Sequence, residues 1–165
     1  MRRSAFFLLI ALIALSAAFI AVTAGQLPAL VASHFDSRSG ADAWLTRGNY
    51  LLLMLALAIL LPLVIVGFIA LVGRTAPRLI NLPHRSYWLS EGRREQTLAT
   101  LLVFACVQGA LLTVFAAALH YVILLAHTSA PPRLPGAVFV AVLLALLAAM
   151  VAWTIALYVR FRHVD

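Results

Sequence analysis

Charged side chains and histidines are missing from residues 4 to 33, 48 to 73 and 134 to 159, and residues 96 to 132 carry only His120 and His127 among such groups. A helix rises about 1.5 Å per residue and the hydrocarbon core of a bilayer is about 30 Å thick, so roughly 20 apolar residues suffice for one crossing. Four crossings are predicted, at about residues 5–24, 50–72, 98–125 and 137–158. Each is Leu- and Ala-rich, apolar all round and too long for a strand; only a helix satisfies its backbone groups in lipid. With 65% of its residues apolar and 10% charged, the chain is excluded from the soluble globular class. The expected fold class is therefore all-α, a single membrane domain over residues 1–165 built as a bundle of four transmembrane helices. One cysteine, Cys106, lies in an apolar run, so no disulfide scaffold is available.

The basic residues predict an orientation. All twelve are arginines; nine of them (Arg2, Arg3, Arg74, Arg78, Arg85, Arg93, Arg94, Arg160 and Arg162) fall on one side of the predicted spans, against Arg38, Arg47 and Arg133 on the other. Cytoplasmic loops hold the excess of Lys and Arg, so both termini are expected in the cytoplasm. The net charge of +7 then reads as topology and attraction to anionic headgroups rather than nucleic-acid binding, because no basic stretch forms a separate soluble face. Val22, Thr23 and Ala24 resemble a signal-peptide processing site. The apolar run before them, about 20 residues, exceeds the usual 7 to 15, which favours an uncleaved anchor.

Packing in lipid depends on close backbone approach, so small residues at helical spacing are candidate contact stripes. Ala105, Gly109 and Thr113 form one in the third span; Ala141, Ala145 and Ala149, and Ala148, Ala152 and Ala156, form two in the fourth. Pro62 is expected to kink the second helix, and Gln108 to hydrogen-bond a neighbouring helix.

The connection from Gln26 to Asn49 (QLPALVASHFDSRSGADAWLTRGN) is too elaborate for a tether. Asp36 to Gly40 is turn-forming, Asp42 is placed to cap a helical turn entering the second span, and Phe35, Trp44 and Tyr50 suit headgroup depth. Leu27, Pro28, Val31, His34, Phe35, Asp36, Asp42, Trp44 and Arg47 together resemble the pattern of the bacterial domain of unknown function 1648. That domain is the N-terminal part of the SdpI-like toxin-immunity membrane proteins. Gly40 falls one position late and Ala32 stands where many members have proline. The resemblance covers about residues 15–60. It implies a sensing, immunity or accessory role in a bacterial inner membrane, with His34, Phe35, Asp36, Asp42 and Trp44 shaping an external recognition surface for a ligand or a protein or peptide partner.

The segment from Gly73 to Thr97, containing INLPHRSYWLSEGRRE, resembles the cytoplasmic elbow of short four-span members of that group. Tyr87 and Trp88 suit the interface, and Ser90 is positioned to cap a helix opened by Glu91 and Glu95. Arg85, Trp88, Arg93 and Arg94 are the candidates for contact with a partner or with lipid headgroups.

No enzyme constellation emerges: phosphate loops, a nucleophile elbow and buried carboxylate pairs are absent. The lack of charged groups along the spans also argues against transport. No cofactor is expected. His34, His120 and His127 fall on one side of the membrane and form an alternative zinc or transition-metal set, without the spacing that marks a metal motif. The remaining alternatives are a structural accessory subunit docking through its alanine stripes, on a larger membrane protein or on its own copy, and a metal-dependent membrane enzyme.

Overall fold

The computed structural model describes residues 2–164. Four helical segments are long and apolar enough to cross a bilayer: Arg2–Gln26, Arg47–Thr75, Arg94–Ala126 and Gly136–Phe161. They contain the four predicted stretches. The chain runs through α1 (Arg2–Thr23), a hairpin of β1 (Leu30–Phe35) and β2 (Ala41–Thr46), α2 (Arg47–Leu55), a π-helical turn (Ala56–Leu60), and α3 (Leu61–Thr75). A short α4 (Arg85–Trp88), the 33-residue α5 (Arg94–Ala126) and α6 (Gly136–Phe161) complete it.

Helix α5 is the hub, touching α1, α3 and α6. Its small-residue stripe explains why. Ala105, Gly109 and Thr113 are all buried, as are Ala116 and His120 farther along the same helix. A Cβ on Gly109 would lie 3.1 Å from the Pro62 Cβ and 3.4 Å from a Leu9 methyl, so glycine is what lets α5 approach both neighbours. The alanine stripes of α6 behave differently. Ala141, Ala145, Ala148, Ala152 and Ala156 are exposed and Ala149 is half-buried. Within α6 only Phe161 is buried. The helix is held to α5 by the Trp153 indole, whose Nε1 donates to the Phe104 carbonyl at 2.9 Å.

The expected disturbance at Pro62 is a π-turn rather than a simple kink. The Leu61 N–H reaches back five residues to the Ala56 carbonyl, and Pro62 has no N–H to offer the carbonyl of Ala58, four residues before it. Thr113 supplies the missing donor, its Oγ1 standing 3.1 Å from that carbonyl in the protein interior. Gln108, expected to bond a neighbouring helix, makes no such bond among the described residues and is half-buried. A chain with Thr113, His120 and Trp153 at its helix contacts has its interhelical polar ties elsewhere.

The connection between the first two spans is the main departure from an all-α chain. It forms an antiparallel hairpin pairing Leu30 with Thr46, Val31 with Leu45 and Ala32 with Trp44, with register irregularities around His34. Asp36 makes the turn, as its residue type suggests: Oδ1 accepts the backbone N–H of Arg38 and of Gly40, both at 2.8 Å. Asp42 does not cap a helix, because β2 continues through it to Thr46. Thr46 is the cap, its Oγ1 accepting from the Asn49 N–H at 3.3 Å.

Val31 and Leu27 join Ile20, Tyr50, Met54, Ala58 and Ala116 in one buried apolar cluster, so the hairpin is part of the core. Arg47 secures its base, donating from one guanidinium nitrogen to the Leu27 carbonyl at 2.9 Å and the Gly25 carbonyl at 3.3 Å. At the opposite end of the bundle a second cluster packs Leu9, Ile13 and Cys106. Ser90 does not cap α5, which starts at Arg94; its hydroxyl turns back to the Tyr87 carbonyl at 2.9 Å.

Candidate functional site

Three histidines sit at the hairpin end, and each has its own partners. His120 is fully buried. Thr23 Oγ1 donates its only proton to the Phe19 carbonyl at 2.6 Å, so towards His120 Nε2, at 2.8 Å, it accepts. The ring therefore carries its proton on Nε2, and Nδ1 accepts from the Tyr50 hydroxyl at 2.8 Å. Phe19 meets the same ring edge-on. This one side chain ties α1, α2 and α5 together.

His127, one residue past α5, has the opposite arrangement. Its Nδ1–H donates to the Ile123 carbonyl at 2.9 Å, leaving Nε2 to accept the Ala32 N–H of β1 at 3.2 Å. The hairpin is thereby fastened to the end of α5. A second fastening is the backbone N–H of Leu134, which donates to the Ser39 carbonyl at the hairpin turn at 3.0 Å. His34 lies on the exposed side, its Nδ1 2.6 Å from Asp42 Oδ1. The alternative metal trio of His34, His120 and His127 is thus not assembled, and no group of three metal-ligating side chains occurs among the described residues.

Beneath the hairpin, between α2, α5 and the start of α6, is a cavity of about 350 Å³. Ser33, His34 and Phe35 form its roof, Leu53 and Met54 one wall, and Leu119 and Ile123 another. Leu134 and Phe139 close the side towards α6. The volume suits a small ligand or one side chain of a larger one, and the lining is apolar apart from Ser33, His34 and the Tyr50 hydroxyl. Of the five predicted recognition residues, His34 and Phe35 reach this cavity. Asp36 builds the turn, Asp42 holds His34, and Trp44 stands outward, about half exposed. Tyr50, Met54 and Phe139 were missed as site residues. Nothing local marks them, since the fold brings them together from separate spans.

At the arginine-rich end, the predicted contact residues divide. Trp88 and Arg94 are committed to neighbouring helix ends: the Trp88 Nε1 donates to the Phe161 carbonyl at 2.9 Å, and Arg94 donates to the Gly73 and Arg74 carbonyls at 3.3 Å. Both bind the negative end of a helix dipole. Arg85 and Arg93 keep exposed guanidinium groups, Arg85 bonded to the Arg78 carbonyl and Arg93 stacked 3.8 Å from the centre of the Tyr87 ring.

No protein-family model, curated protein or solved structure matches this chain.

Proposed function

We propose that this is a non-enzymatic binding protein of a bacterial inner membrane that recognises an apolar segment of a membrane-active peptide at its external face. In this reading both termini are cytoplasmic, the arginine-rich end faces the cytoplasm and the hairpin end faces outward. The distribution of arginines supports that orientation. The resemblance of residues 15–60 to the SdpI-like immunity group supports the class of ligand. The observation that carries the reading is the apolar cavity roofed by His34 and Phe35. With the hairpin's base set in the core and its first strand and turn tied down by His127 and Leu134, the cavity beneath it is held in shape to take an apolar side chain.

The test uses a variant with Cys106 replaced by serine and single cysteines introduced elsewhere. An impermeant thiol reagent applied to intact cells should label a cysteine at Ser37 and spare one at Arg85. Phe35→Ala and Met54→Trp should each abolish protection against a membrane-active peptide while membrane insertion stays normal. Full protection in both variants would exclude the cavity, and the reverse labelling pattern would exclude the orientation.

One observation favours a second reading, that of an accessory subunit. Helix α6 buries only Phe161 within this chain, leaving its alanine stripes for a larger membrane protein or a second copy. A stoichiometric partner retained in mild detergent, and lost when Ala141 and Ala148 are replaced by leucine, would select it.

A further inference from the structure

At the arginine-rich end, away from the hairpin, a second cleft opens between α1, α3 and α5. Arg2 and Arg3 from α1 and Arg74 from α3 stand around its mouth. Phe6, Phe7, Leu102 and Cys106 form its floor, and its volume is about 450 Å³. The one ion pair among the described residues is His34 with Asp42, at the opposite end of the bundle. Three arginines therefore line one cleft with an apolar floor and have no acidic partner among the described residues. Glu91 and Glu95, the acidic residues on this side among those described, are exposed just before and at the head of α5 and do not line the cleft.

The cleft continues as an apolar groove of about 240 Å³ along the seam of α1 and α5. Cys106 lines both. On α5, Leu102, Cys106, Ala110 and Val114 follow at four-residue spacing, so they form one face leading from the arginines into the depth of the bilayer. Twelve residues of helix make about 18 Å, close to the reach of an acyl chain through one leaflet. Leu8 and Leu12 of α1 form the facing wall.

We propose that this composite site binds one anionic glycerophospholipid, its phosphate held by Arg2, Arg3 and Arg74 and one acyl chain lying in the groove past Cys106 to Val114. The charge complementarity is specific for an anionic headgroup, and the attached groove distinguishes a lipid from a free phosphate. Arginine suits the task because its planar fork can donate two hydrogen bonds to one phosphate.

Native mass spectrometry of the delipidated full-length protein tests the site, with phosphatidylglycerol and phosphatidylcholine as probes. One phosphatidylglycerol should bind in preference to phosphatidylcholine. Each basic group near an anionic lipid contributes about fivefold, so Arg74→Gln should weaken phosphatidylglycerol binding about fivefold, and replacing all three arginines by glutamine on the order of 100-fold. Val114→Trp, at an exposed groove position, should reduce binding with all three arginines intact. Arg85→Gln with Arg93→Gln should leave it unchanged. Equal adducts in Arg74→Gln, Val114→Trp and the parent protein would overturn the proposal. So would displacement of the lipid by equimolar glycerol phosphate, which would mark an anion site without a chain groove.

Discussion

The hydroxyl of Thr113 on α5 donates to the carbonyl of Ala58, 3.1 Å away across a buried helix contact. The α-helical donor for that carbonyl is missing because Pro62, four residues on, has no N–H, and in lipid no water is present to take its place. A proline in a span and a threonine 51 positions later are therefore two halves of one solution. Thr113→Val keeps the side-chain shape and removes the donor, and should lower stability by about 1 kcal/mol, within the range measured for hydrogen bonds between membrane helices. In a Pro62→Ala background the new N–H can serve the Ala58 carbonyl, so Thr113→Val should then cost close to nothing. Reversible unfolding in mixed micelles measures the four proteins of this cycle; equal costs in the two backgrounds would separate Thr113 from Pro62.

The Tyr50 and His120 pair predicts a similar reversal. In the parent protein Tyr50→Phe removes the donor to Nδ1 of His120 and should destabilise by about 1 kcal/mol. His120→Leu strands two groups at once, the Tyr50 hydroxyl and the acceptor side of Thr23, and should cost about 2 to 4 kcal/mol. Adding Tyr50→Phe to His120→Leu should then restore stability rather than reduce it further, because a buried hydroxyl without a partner is worse than none. Nitrogen chemical shifts of labelled histidine give an independent check: His120 should carry its proton on Nε2 and His127 on Nδ1.

How much of this was legible in the sequence depends on the range over which each feature is encoded. The four spans are local, since each is a run of about 20 apolar residues, and all four lie where the runs are. The Ala105, Gly109 and Thr113 stripe was also legible, being a periodicity on one helix. The hairpin was not. Leu30–Phe35 and Ala41–Thr46 mix alanine, serine and aspartate with few β-branched residues, and the register irregularities at His34 break strict alternation. Its turn chemistry, Asp36 to Gly40, was the one readable part. Partners such as Thr23 with His120, 97 positions apart, are set by three-dimensional packing and leave no local trace. The α6 stripes were legible only in part: Ala145, Ala149, Ala152 and Ala156 lie along the seam with α5 but pack loosely there, and alanine spacing in so alanine-rich a helix does not say how closely it is met.

Two glycines give opposite forecasts from similar geometry. A Cβ at Gly73 would come within 2.9 Å of a Leu98 methyl, closer than the 3.1 Å between a Gly109 Cβ and the Pro62 ring carbon. Leu98 can swing its flexible end aside, whereas the Pro62 carbon belongs to a rigid ring that is itself buried. Gly109→Ala should therefore destabilise by about 1 to 3 kcal/mol through overpacking. Gly73→Ala should lie within about 0.5 kcal/mol of the parent, with the helix-propensity gain of alanine offsetting the small readjustment. Thermal unfolding in one detergent ranks the two, and a Gly73→Ala defect larger than that of Gly109→Ala would show that the α5 contact is more compliant than its geometry.

Trp88 governs how firmly α6 is attached at the arginine-rich end. Its indole N–H holds the Phe161 carbonyl, its ring packs edge-on against the Phe161 ring with centroids 5.3 Å apart, and Arg160 lies over its face at 5.1 Å. Thr97 Oγ1 in turn donates to the Trp88 carbonyl at 2.7 Å, fixing α4 to the start of α5. Because α6 buries nothing else within the chain, this cluster and the Trp153 bond are its principal anchors. Trp88→Phe keeps the ring contact and removes only the donor, whereas Trp88→Ala removes both. Hydrogen exchange at the last turn of α6 should rise modestly in the first variant and about tenfold or more in the second, as a loss of about 1.4 kcal/mol of local stability corresponds to a factor of ten. Exchange at the hairpin end of α5 should not change in either variant, since His120 and His127 hold that end by separate bonds. Equal exchange along α6 in the parent protein and Trp88→Ala would mean that the helix is held by something other than this cluster.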